Sequence, residues 1–556
     1  MLRFREQGQA AVFILLMTAM VALAAVFLYR GGKLTSEQME LQNAADSIAF
    51  SISVLEARDL NFMAYTNRAM VANEVAIGQA VGLMSWLNHL GSTPTFLRRY
   101  ASLLSPIPFI GQAASAILNG IATGMNVVAN VAKNIAGPMI AGAIPALVAA
   151  SKVYSGAQML MHLATTTVTL STLNELLAQN APNAEISPFG WLSYLAHTVT
   201  YYSHFTKRYG ASSEDGMGRF AAMVNESRDV FTRNRGFRIP LPGDISFSAG
   251  PFSFGLQSNM IKVGGSQLRY KGNKSIGEKF SWSAADTSAW RLGIQMGIDF
   301  GFVAVNVDIS NNQASIDMHF DFGLFSWDVG LSIPMPTEAP FGVGTSQASQ
   351  TKNKLKVTDM GNLVNPLPDE MYGFAPVLKV PWFSVPPFPN GVPLAITNSV
   401  ASNKYSGLAG FGYVDTITPD NSFWSFFAPN LIIGLKADRQ DIEDANTAMT
   451  TGQLALTSQL GNNNDAGAIA KSEVYFSRPN DLSFFKRRDG LTEYGSAFNP
   501  YWQARLVDTS YSERTMALLL QQQVAWTGDL QALGNQALDS VPNISNLLQS
   551  LGIPVP

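Results

Sequence analysis

Apolar and polar positions along this chain fall into successive textures, and each predicts a different element. Residues 10–29 read AAVFILLMTAMVALAAVFLY, with Thr18 the only hydroxyl before the closing Tyr29. At helical rise, about 20 such residues span the roughly 30 Å hydrocarbon core of a bilayer. Arg3 and Arg5 precede the run and Arg30 and Lys33 close it, so both ends carry cations suited to headgroups. Two fates are open for the segment. Its length favours a retained membrane anchor; the alternative is a cleaved signal peptide with Ala22-Leu23-Ala24 as the processing site.

Helical spacing takes over next. Residues 34–90 contain no proline, and Leu34, Leu41, Ile48, Leu55 and Phe62 recur at sevens, with Ala45 and Ile52 filling the positions between. The stripe is bordered by Glu37, Glu40, Asp46, Glu56 and Arg58, which predicts a long amphipathic helix continuing the anchor. Its small seam residues admit a close partner, either another subunit or the protein's own core. From 106 to 150 the apolar chain is interrupted by Gly111, Gly120, Gly124, Gly137, Pro138, Gly142 and Pro145, which favours packed helices, resting on the membrane surface, over the alternative of further membrane spans. Helical patterning resumes over 151–181 and again from about 191 to 209.

Near Gly236 the period changes to two. Leu292, Ile294, Met296, Ile298 and Phe300 alternate with polar or small residues, as do Ala314, Ile316, Met318, Phe320 and Phe322, then Phe325, Trp327, Val329, Leu331 and Ile333. Successive runs of this kind predict an antiparallel sheet with one buried and one solvated face. Residues 334–356, rich in Pro, Gly, Ser and Thr, read as a long loop, and the prolines of 376–393 as irregular extended chain. From about 512 to 549 a helical tail is expected, broken at Gly528 and Pro542. The fold expected is α+β: a transmembrane helix running into a long amphipathic helix, a helical body, an antiparallel β-rich domain and a helical tail. The corresponding boundaries are 1–33, 34–235, 236–435 and 436–556.

Composition narrows the function. Of 556 residues only 14% are charged and 47% are hydrophobic, with a net charge of −3. There is no basic excess to hold phosphates, so nucleic acid is not an expected partner. Cysteine is absent, which removes disulfides, thiolate metal ligands and cysteine nucleophiles.

Two short blocks carry a resemblance. Leu41-Gln42-Asn43-Ala44-Ala45-Asp46 after an apolar helix resembles the N-terminal region of TadE/TadG-like proteins of Flp (tight adherence) pilus systems, and Gly8-Gln9-Ala10-Ala11 fits such N-termini. The stretch 60–70, with Asn61, Tyr65, Asn67 and Arg68, resembles a longer branch of that group, as does Tyr494-Gly495-Ser496-Ala497-Phe498-Asn499-Pro500-Tyr501-Trp502-Gln503-Ala504-Arg505-Leu506 near the C-terminus. The resemblance implies a single-pass inner-membrane protein with a periplasmic or surface-exposed body, acting in pilus assembly or as a minor pilin-like subunit. Its implied partners are the lipid bilayer, through residues 10–29, and other pilus or secretion-system proteins. One departure stands out. Prepilins cut after glycine carry glutamate at the fifth mature position, whereas cleavage after Gly8 would put Phe13 there.

Catalytic chemistry has little to build on. His89, His162, His197, His204 and His319 form neither HxxxH nor HExxH. Asp308-Ile309-Ser310 resembles the start of a metal-ion-dependent adhesion motif, but its last position is Asn312, and a hairpin explains the segment better. Asp317 and Asp321 flank His319 at the spacing of any solvated strand face. Gly264-Gly265 and Gly342-Val343-Gly344 introduce no helix, and GxSxG is missing. No catalytic residue, metal ligand, cofactor or small-molecule substrate is expected; the expected chemistry is that of a scaffold.

Overall fold

The computed structural model describes residues 6–106, 110–210, 214–240, 245–270, 280–310, 313–323, 325–334, 338–349, 355–356, 395–396, 400–402, 404–414, 429–437, 466–478 and 494–511, with isolated positions to 517. Helix α1 (Glu6–Leu104) and helix α2 (Ile110–Asn180) lead the chain. Strand β1 (Ala184–Ile186), helix α3 (Pro188–Thr200), a π turn (Tyr201–Phe205), β2 (Thr206–Tyr209) and helices α4 (Glu214–Glu226) and α5 (Val230–Arg233) follow. The strands after them are β3 (Phe237–Pro240), β4 (Ile245–Ala249), β5 (Phe252–Tyr270), β6 (Phe280–Asp299), β7 (Val303–Ser310), β8 (Gln313–Asp321), β9 (Ser326–Pro334) and β10 (Glu338–Ala348). Then come β11 (Leu355–Lys356), β12 (Ala395–Ile396), β13 (Val400–Ser402), β14 (Phe411–Val414), β15 (Asn430–Ala437), β16 (Ala466–Phe476) and β17 (Trp502–Val507). The class is α+β, with a long N-terminal helix, a helical body and antiparallel sheets.

Two compact units interleave along the sequence. One takes residues 1–67, 156–208 and 411–556; the other takes 68–155 and 209–410. In the first, β1-β15-β16-β17 form an antiparallel sheet. Burial alternates along β16, the mark of a strand with one covered face. Leu41, Ala44, Ala45, Ile48 and Ile52 of α1 pack with Leu173 of α2, Tyr194 of α3, Leu431, Ile433 and Leu435 of β15, and Ala466, Ala468 and Ala470 of β16. The side chain of Ser187 caps α3 by accepting from the Gly190 amide at 3.0 Å, and Pro188 supplies a preset first-turn φ.

In the second unit, β5 and β6 form a long hairpin; along the other edge of β6 pair β10, over 282–291, and β7, over 294–299, with β8 and β9 continuing the sheet beyond β7. Three tight turns of this meander use left-handed glycines, Gly250, Gly301 and Gly323. At two of them a carboxylate fixes the turn: Asp299 accepts from the Gly301 amide at 2.7 Å and Asp321 from the Gly323 amide at 2.8 Å. A buried ion trio ties β5 and β6 to the chain after α5. The Asp286 carboxylate takes Arg235 Nη2 at 2.9 Å and Lys262 Nζ at 2.6 Å.

Three expectations need correction. Residues 110–150 are not a set of short helices but part of the continuous α2, with Pro138 and Pro145 inside it. A helix-interior proline costs about 3 kcal/mol; here burial of Ile140, Ile144 and Val148 around the breaks offsets that loss. The helix expected to reach Tyr209 ends at Thr200, and the chain leaves through the π turn into β2. Much of the expected loop at 334–356 is strand β10, paired antiparallel with β6 from Glu338↔Arg291 to Ala348↔Trp282. The prolines of 376–393 and nearly all of the helical tail lie outside the described residues.

Candidate functional site

The apolar stretch at the start of α1 joins no core. From residue 10 to 29 its side chains are exposed, including Phe13, Leu16, Val21, Phe27 and Leu28. Among the described residues two helices are long and apolar enough to cross a membrane. The better one is this stretch, none of whose most apolar window is buried in the protein; the other lies in α2.

Further along α1 the seam residues turn inward. Leu41, Ala45, Ile48 and Ile52 are buried in the first unit's own core, while Leu55 and Phe62 are only half-buried; the Leu34 side chain lies outside the description. Burial passes instead to Ala49, Glu56 and Met63. A straight α-helix drifts about 20° per heptad against a seven-residue repeat, so the buried face moves off the original stripe. Polar groups bind the same helix to β16. Gln38 Nε2 donates to the Gly467 carbonyl at 2.7 Å, Gln42 Nε2 donates to that of Ile469 at 3.1 Å, and the hydroxyls of Ser53 and Ser472 meet at 2.7 Å. Gln42 also reaches Asp46 at 3.0 Å, and Asn43 is exposed.

The two distant family-like blocks meet. Asn61 Nδ2 donates to the Trp502 carbonyl at 2.8 Å, and its Oδ1 accepts from the Trp502 amide at 2.9 Å. Asn67 Nδ2 donates to the carbonyls of Gly412 at 2.8 Å and Ala497 at 2.7 Å, and Gln158 of α2 donates to Asn67 Oδ1 at 2.7 Å. Trp502 is buried among Leu60, Met63, Phe205 and Val474, with Phe205 and Phe476 edge-on to its ring. Tyr65 and Arg68, between and beyond these asparagines, face outward.

Beside this junction lies a buried polar cluster that the sequence pattern did not single out. His197 Nε2 meets Glu56 Oε1 at 2.8 Å while its Nδ1 faces the Asn430 carbonyl at 2.7 Å. His162 Nδ1 meets Asp59 Oδ2 at 2.5 Å and its Nε2 faces Thr206 Oγ1 at 3.1 Å. Tyr201 and Tyr202, carried inward by the π turn, lie with tilted rings against these histidines, and burial pushes both phenols well above their ordinary range. One signal was available. Asp59 continues the seam series Ala45, Ile52 by seven, and an acid on a buried seam demands a partner.

The remaining chemical candidates are separate. Asp308 sits on β7 within the antiparallel meander, its carboxylate accepting from Gln295 at 3.2 Å. His319 Nδ1 pairs across to Asp328 of β9 at 2.5 Å, and that hydrogen bond raises its pKa; Asp317 and Asp321 flank it on β8. The side chain of His204 lies outside the description, and His89 is buried in the second unit, Nε2 to Ser288 at 2.7 Å. Among the described residues no group of three or more His, Asp or Glu is placed to hold a metal ion.

The exposed apolar start of α1 thus runs on, within one continuous helix, into turns packed against the sheet of the first unit. Residues 8–47, covering that apolar stretch and the first buried turns of α1, match the Tad family, described as Flp pilus-assembly TadE/G-like. No curated protein and no solved structure matches the chain.

Proposed function

We propose that this protein is a membrane-anchored, non-catalytic component of a bacterial Flp-type pilus-assembly apparatus, held by residues 10–29 with its two units on the periplasmic or surface side. The observation that carries the reading is the coincidence of the Tad match at 8–47 with an apolar segment whose side chains are exposed among the described residues. An exposed run of that length is costly in water and favourable in lipid. On this reading Asn43 and Tyr65, two outward members of the family-like blocks, are open to neighbouring pilus proteins, whereas Asn61 and Asn67 hold the scaffold together.

Carbonate extraction of membranes, combined with protease treatment of spheroplasts, tests the reading. The full-length chain should stay in the pellet, and its body should be cut from outside while a short N-terminal fragment is protected. Release of a soluble protein whose sequence starts near Ala25 would instead establish a cleaved signal and a secreted adhesin.

A further inference from the structure

Among the described residues, the outer part of the meander in the second unit carries an uncovered apolar face. Register places Phe254, Met296, Val307, Ile316 and Leu331 in one row running across β5 to β9, and Phe247 of β4 extends it opposite Phe254. Neighbouring rows repeat the pattern. These side chains are far from buried: Met296 is 42% exposed, Leu331 53%, Phe252 51% and Trp327 68%. Monomeric proteins rarely leave a contiguous apolar surface of this size open.

Charge identifies what covers it. Between Arg291 and Lys352 the chain has neither lysine nor arginine, and the aspartates of the three outer strands, Asp308, Asp317, Asp321 and Asp328, all fall on the opposite face by strand alternation. A bilayer surface is ordinarily met by apolar side chains fringed with cations, which β7, β8 and β9 lack. An uncharged, strand-built face is matched best by another of the same kind, since sheets stack face to face about 10 Å apart. Six strands at about 4.8 Å spacing, each about eight residues long, give a face on the order of 700 Å². Two copies would hide roughly 1,400 Å², inside the range of stable interfaces.

We infer that the apolar face of β4–β9 is a homodimer interface, closed by the same face of a second copy of this chain. The inference does not depend on the pilus reading. It is tested on the full-length chain in mild detergent by light scattering. The unsubstituted protein should have the mass of a dimer. Val307→Asp, at the middle of the face, should give a monomer, and Asn306→Asp, its neighbour on the polar face, should remain dimeric. A monomeric unsubstituted chain, or a dimer that survives Val307→Asp, overturns the inference. Because the chain has no cysteine of its own, a second measurement is available should Val307→Asp fold poorly. A short bis-maleimide should link Val307→Cys copies into dimers and leave Asn306→Cys copies single. Equal linking at both positions, or none at 307, would mean that lipid or another part of the chain covers the face.

Discussion

Asn61 reads both backbone groups of Trp502, accepting from its amide at 2.9 Å and donating to its carbonyl at 2.8 Å across 441 positions of sequence. A side-chain amide paired with a peptide group in this way substitutes for a neighbouring strand. It gives the end of β17 a partner that the sheet does not supply, and it fixes the register of the C-terminal block against α1. The tryptophan ring then fills the pocket between Phe205 and Phe476.

Asn61→Ala should therefore lower stability by about 1–3 kcal/mol, the cost of leaving partly buried backbone groups unpaired. Asn61→Asp should be no milder, because a carboxylate has no hydrogen to give the Trp502 carbonyl. Thermal unfolding followed by tryptophan fluorescence measures both. An Asp variant as stable as the parent would show that the amide is not acting as a donor.

The trio in the second unit carries a larger penalty. Asp286 holds Arg235 and Lys262, and all three side chains are almost completely buried. Removing the acid with Asp286→Ala leaves two cations in the core, and breaking a buried pair in this way costs about 3–5 kcal/mol. Lys262→Met should be far gentler, since it removes a charge together with its need for a partner, and burial already lowers the Lys262 pKa. Urea midpoints of the two variants should differ clearly. Equal losses would mean that packing and not charge governs the site.

The elements with a strong period were legible in the sequence: the apolar run at 10–29, the seam from Leu41 to Ile52, and the alternation that became β6 to β9. What stayed hidden was packing that leaves no period. Strand β10 reads as a loop because Gly342 and Gly344 break its texture, yet a Cβ at Gly344 would overlap the backbone of Ser85 and His89 in α1. The glycines mark a strand pressed against a helix, held there by Asn88 Nδ2 to the Thr345 carbonyl at 2.9 Å. Glu56 was read as a border charge of the stripe. The 20° drift of a straight helix per heptad brings it into the core, where His197, far along the chain, is its partner.

Proton counting at that pair gives a further expectation. His197 Nδ1 faces a carbonyl, which only accepts, so this nitrogen carries hydrogen. A second proton must then lie between Nε2 and Glu56 Oε1. Glu56→Gln supplies that proton from its amide and should be tolerated. His197→Ala strands a carboxylate whose Oε2 already lacks a partner, and should cost about 3–5 kcal/mol. Should Glu56→Gln be the more damaging of the two, the pair is ionic and the charge itself is required.

Glu74 gives the second unit a dependence on pH. Burial pushes its carboxyl up to about 7, partly opposed by hydrogen bonds that Trp282 Nε1 and the Tyr405 hydroxyl donate to Oε2, each at 3.0 Å. A group whose pKa is higher in the fold than in the open chain favours the fold fully below its ordinary value of 4.5, and that contribution is lost as pH rises through about 7. His89 works in the other direction. Burial lowers its pKa to about 4, so its contribution is lost as pH falls below its ordinary 6.5. The two offset each other in mildly acidic solution, and a stability profile of the parent alone would hide both. Comparing the parent with Glu74→Gln cancels the histidine. The amide oxygen of the variant can still accept from Trp282 and Tyr405, but nothing ionises there. The parent should therefore lose up to about 3 kcal/mol relative to the variant between pH 5 and about 8, at roughly 1.4 kcal/mol per unit of pKa shift. Denaturation midpoints taken across that interval measure the difference directly. Parallel profiles would place the titration of Glu74 outside it and remove burial as the controlling influence on this carboxyl.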